Sequence, residues 1–78
     1  MRFFITFGQR YAREAHPRLA AAHPDGWVLI EARTYDSARE IAFANLGVFW
    51  GEMYDTEDFR PEYFPRGEIA RFAESVPT

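Results

Sequence analysis

Both histidines of this chain fall in one stretch, HPRLAAAHPDGW, residues 16–27. His16 and His23 stand seven apart, with Glu14 and Asp25 beside them, so two imidazoles and a carboxylate are at hand for a zinc ion. A structural zinc site needs four ligands and a catalytic one three plus water. The ligands are usually set on one rigid element, as HExxH sets them on a helix. Here each histidine precedes a proline, which pushes the preceding backbone toward extended geometry. The pair therefore reads as punctuation, opening a short helix and a turn, and neither a metal nor a cofactor is expected.

Other catalytic patterns fail on their spacing. Ser37 and Ser75 have no neighbouring histidine and there is no GxSxG. Gly8-Gln9-Arg10 offers one glycine where a phosphate loop needs several. Asp55, Glu57 and Asp58 cluster without the spacing or glycine of a calcium loop. An enzyme is not expected.

Binding is better supplied. The segment EMYDTEDFRPEYF, residues 52–64, sets five acids among Met, Tyr and Phe. Acids there can steer a basic partner while aromatics anchor it, so Asp55, Glu57, Asp58 and Phe59 are the expected partner-binding residues. Arg10, Tyr11, Arg13 and His16 form a second candidate group, able to hold an anionic nucleotide in an oligomeric, ligand-sequestering protein. A third reading places Phe4, Trp27 and Leu29 on an exposed sheet face beside arginines, as single-strand nucleic-acid binders do. The negative net charge and the lack of a polybasic run make nucleic acid a poor partner. The competing expectation is that Phe4 and Trp27 complete a second small core, and that the acidic segment is solvated loop tied down by Phe59 and Phe64.

These residues need a frame. Seventy-eight residues are expected to form one domain, 1–78. Fourteen aromatic side chains give so short a chain its core, and cysteine is absent, which removes disulfides and thiolate sites. The opening MRFFITFG is too short for a signal-peptide core, and no apolar run approaches a membrane span of about 20 residues. All nine basic residues are Arg. Residues 1–39 carry six Arg against four acids, and residues 40–78 three Arg against eight acids, which points to faces of opposite sign.

Arg2–Phe7 alternates as a strand, with Phe3, Ile5 and Phe7 on one face and Phe4 and Thr6 on the other. Apolar groups on both faces mark it as central. Pro17 is suited to open one or two helical turns over 17–22, and His23-Pro24-Asp25-Gly26 has turn chemistry. Trp27–Ala32 is the second strand. Thr34 or Asp36 can cap a helix, Ser37 and Glu40 have capping-box spacing, and Ala38, Ile41, Ala42, Asn45 and Leu46 form its apolar stripe. Gly47 ends the helix with positive φ. Residues 48–54 read as a third strand, parallel in direction to the second, with the first between them. An acidic loop over 55–65 leads to a short helix from Arg66 to Ala73, with Ile69 and Phe72 inward. The expected fold is α+β: a three-stranded mixed sheet in the order 2-1-3, one main helix on a face, and a short C-terminal helix.

The ordered set FFITFGQRY, HP, HPDGWVLIEA, Ala38-Arg39, Leu46-Gly47 and YFPRGEI resembles small proteins encoded by tailed phages of actinobacteria. The resemblance spans nearly the whole chain and rests on turns and core positions. It implies a phage origin and action in the cytoplasm of an infected bacterium, and brings no catalytic residue with it. With the residues above, it leads to the expectation of a non-enzymatic phage protein that binds and inhibits or redirects a bacterial host protein, such as a defence component.

Overall fold

The structure is a computed structural model, and it describes residues 1–8, 16–19 and 22–74. Among the described residues, four strands and one α-helix follow in the order β1 (Arg2–Thr6), β2 (Gly26–Glu31), α1 (Tyr35–Leu46), β3 (Glu52–Asp55) and β4 (Gly67–Ala73), with a 3-10 turn at Pro61–Tyr63 before β4. The sheet order is β3-β1-β2-β4. β1 runs antiparallel to both β2 and β3, while β4 runs parallel to β2, so the sheet is mixed.

The expected α+β class, the mixed sheet and the central place of β1 hold. The sheet has four strands rather than three, and Arg66–Ala73 does not form a helix. The reason lies in the pairing of β4. Trp27 is opposite Glu68 and Val28 opposite Ala70, which leaves Ile69 as an extra residue in a β-bulge. A bulge breaks the two-residue alternation of side chains. Ile69 and Phe72 thus reach the same core although they stand three apart, a spacing otherwise diagnostic of a helix. Gly26 makes room for this bulge. A Cβ there would run into the Ile69 side chain and lie 3.0 Å from the Gly67 carbonyl oxygen.

The first face of the sheet carries the main core. Phe3, Ile5 and Phe7 from the β1 region and Val28, Ile30 and Ala32 from β2 pack against Ala38, Ala42 and Leu46 of α1. Alanines one helical turn apart let the helix lie close to the sheet. Thr34 caps α1, accepting from the Ser37 N–H at 3.1 Å. The capping thus comes from Thr34, three residues before Ser37, and not from a Ser37–Glu40 box. Gly47 closes the helix at φ 66°, and its N–H donates to Phe43 O at 2.9 Å.

The third strand starts later than the expected 48–54. Gly51 N–H donates to Thr6 O at 2.7 Å, and regular pairing with β1 begins at Glu52. Residues 47 and 48 turn instead, and Trp50 Nε1–H donates back to Gly47 O at 3.1 Å. The helical turns expected over 17–22 involve residues 20 and 21, which lie outside the described residues. Among those described, 17 and 18 form a bend and Ala22 N–H closes a turn onto Leu19 O at 3.0 Å. No helix among the described residues is long and apolar enough to cross a membrane.

Candidate functional site

The second face of the sheet is built from Phe4 and Thr6 of β1, Trp27 and Leu29 of β2, and Tyr54 of β3, as alternation requires. The chain after β3 folds back over this face. Phe59 N–H donates to Asp55 O at 3.1 Å and Asp58 N–H to Asp55 Oδ1 at 3.0 Å, so Asp55 organises the turn with both backbone and side chain. Thr56 Oγ1–H ties the turn to Arg2 O at 3.4 Å. Arg60 holds it from below, its Nη1–H donating to Glu57 O at 2.9 Å and Phe59 O at 3.3 Å.

This turn delivers Phe59 onto the sheet. Phe59 is 5% exposed and stacks on Phe4 with ring centroids 4.3 Å apart. Phe64 stacks on its other side at 5.3 Å, and Trp27 meets it edge-on at 5.2 Å. Phe59, expected among the partner-binding residues, is thus buried at the centre of a second small core, so it supports the exposed acids of the turn from beneath. The same packing covers the platform that a single-strand nucleic-acid reading needs at Phe4, Trp27 and Leu29, and Leu29 is itself buried.

Asp55, Glu57 and Asp58 stay exposed on the turn, beside exposed Glu62. None of the four forms an ion pair among the described residues. At Asp58 opens a cleft of about 200 Å³, lined by Tyr54, Asp58, Phe59, Arg60, Tyr63 and Phe64. Phe59 gives it an aromatic floor, since Tyr54 and Phe64 flank that ring at 6.2 and 5.3 Å. Tyr63 is 72% exposed, yet its backbone is fixed. Pro61 opens the 3-10 turn, Tyr63 N–H donates to Arg60 O at 3.1 Å, and Phe64 N–H donates to Pro61 O at 2.9 Å.

The sequence pattern pointed to the acids but missed Tyr54, Arg60 and Tyr63 as cleft residues. Arg60-Pro61 was the available signal, because proline after a loop acid cluster presets a turn that can present the next aromatic.

His16 belongs elsewhere. It is 5% exposed, and its ring lies edge-on to Phe7 and Phe49 at 5.6 and 5.9 Å. Nδ1 accepts from the Arg18 and Leu19 N–H groups at 3.0 and 3.1 Å, so the proton is on Nε2, which donates to Phe49 O at 2.7 Å. Both nitrogens are engaged in holding the loop to the residues after α1. That leaves the imidazole unsuited to ligate a nucleotide phosphate, as the second candidate group requires. Arg10, Tyr11 and Arg13 of that group lie outside the described residues. His23 Nδ1 accepts from the Asp25 N–H at 3.0 Å within its turn. Among the described residues no three His, Asp or Glu side chains gather as a metal site would need.

Comparison with protein-family models, with curated proteins and with solved structures finds no match to this chain.

Proposed function

We propose that the protein works without catalysis, by docking the exposed surface of residues 52–64 onto a basic patch of a partner protein. Four exposed carboxylates with no ion pair among the described residues lie within eight residues of one another, and one of them, Asp58, lines an open aromatic cleft; this arrangement carries the reading. Unpaired exposed charge of one sign speeds encounter with the opposite sign, and aromatics beside it supply contact area. The turn is preorganised by Asp55 and pinned by Phe59, so little ordering entropy is lost on docking. In the setting that the phage resemblance implies, the partner is a protein of the bacterial host and the encounter takes place in its cytoplasm.

The test is affinity capture from bacterial lysate with three baits: the wild type, the variant Asp55→Asn/Glu57→Gln/Asp58→Asn, and a control with Asp36→Asn/Glu40→Gln on the outer face of α1. Asn at 55 keeps the oxygen that accepts from the Asp58 N–H, so the turn survives. The expected result is one stoichiometric protein held by the wild type and the control and released by the triple variant. Equal capture by all three baits rejects this surface.

A further inference from the structure

The cleft has properties that the carboxylates alone do not explain. Its volume of about 200 Å³ is below the roughly 300–1,000 Å³ of pockets that enclose small organic ligands or nucleotides. It suits one inserted side chain. Four of its six lining residues are aromatic, and the face of an aromatic ring carries the negative side of its quadrupole. Asp58 stands at its edge, and Asp55, Glu57 and Glu62 add to a field that disfavours an anion. Arg60, the one cation in the lining, is turned onto the loop carbonyls of Glu57 and Phe59.

We infer that the cleft takes an arginine side chain of the partner, with its guanidinium against the Tyr63 and Tyr54 rings and paired with the Asp58 carboxylate. This rests on the docking reading above and gives it a specific anchor. Guanidinium is flat, weakly hydrated and carries forked donors, so it can stack on an aromatic face and meet a carboxylate at once, which an ammonium does less well. Tyr63 is the residue on which this depends most: it is 72% exposed on a hydrogen-bonded turn, away from the ring stacking that buries Phe59.

Blocked pentapeptides Gly-Gly-Xaa-Gly-Gly, with Xaa as Arg, Lys, citrulline or Glu, test this without the partner. Each is titrated into the whole protein while the ring resonances of Tyr54 and Tyr63 and the Asp58 amide are followed by NMR. The Arg peptide is expected to give saturable shifts at all three, with the Lys peptide weaker and citrulline and Glu giving none. Tyr63→Ala, at an exposed site, should keep the fold and weaken the Arg peptide by roughly two- to fivefold, the size of an exposed cation–π contact. Asp58→Asn should weaken it as well and flatten its salt dependence. Equal response to Arg and citrulline, or no saturable shift at Tyr54 and Tyr63 with Arg, overturns the inference. The two readings fail separately. Saturable Arg binding with unchanged lysate capture by the triple variant rejects the docking surface and keeps the cleft. Lost capture with no response to the Arg peptide does the reverse.

Discussion

Phe59 lies face to face on Phe4, with ring centroids 4.3 Å apart and ring planes within 4° of parallel. The contact joins the acidic turn to the central strand, so the turn is structural on its inner side and free on its outer side. Truncation separates the two. Phe59→Ala should destabilise the fold by about 3–5 kcal/mol, as for a core aromatic. Glu57→Gln on the same turn should change stability by less than about 0.5 kcal/mol, as surface substitutions do. Urea unfolding of both variants measures this, and a small effect at Phe59 would show that the second core does not hold the turn.

Gly47 sits at φ 66° and ψ −137°, a region that side chains rarely enter, and an added Cβ would stand 3.3 Å from Phe49 Cδ2. Gly47→Ala should therefore lower stability by about 1–3 kcal/mol. Gly8 also has positive φ but nothing near its Cβ position, so Gly8→Ala should cost less than Gly47→Ala. Equal losses would show that the Phe49 contact adds nothing to the cost at Gly47.

His16→Phe should cost about 1–3 kcal/mol, because it removes the donor to the Phe49 carbonyl and the acceptor shared by two loop amides. Adding zinc or a chelator should leave the melting temperature of the wild type unchanged. A rise with zinc would mean that the imidazole can leave these partners.

Glu74 reports on the end of β4. The hydrogen bond from the Arg33 side chain, followed by one from Ser37, holds its carboxyl below the usual carboxylate range. A lowered folded value stabilises the fold above the ordinary carboxylate range and loses that contribution as the pH falls through the lowered value. Melting temperatures of wild type and Glu74→Gln should therefore differ at neutral pH and converge in acid. A gap independent of pH would mean that the Arg33–Glu74 contact, 2.7 Å long, adds no charge-dependent stability.

Much of the frame was legible along the chain, for identifiable reasons. The alternation of β1 and β2 placed Phe3, Ile5, Val28 and Ile30 on one face, because a two-residue period leaves no other choice. Thr34 and Gly47 bracket the helix because capping chemistry is local. β4 was not legible, since the bulge at Ile69 copies a helical spacing and is set by pairing with a strand some forty residues earlier. The acids of the candidate site were visible as composition. The cleft was not, because it exists only once Phe59 turns inward and Tyr63 is left outside.

The acidic docking surface is tested most directly by the association rate with the captured partner, measured for the wild type and for Asp55→Asn/Glu57→Gln/Asp58→Asn across a range of salt. Charges at the rim of an interface act mainly on encounter, and salt screens them. The folded triple variant should associate several-fold more slowly at low salt, with the two association rates converging at high salt, and any faster dissociation should trace to Asp58→Asn alone, the one of the three that lines the cleft. Identical association rates at low salt, with the fold intact, would contradict the docking reading and leave the acidic turn as solvated surface.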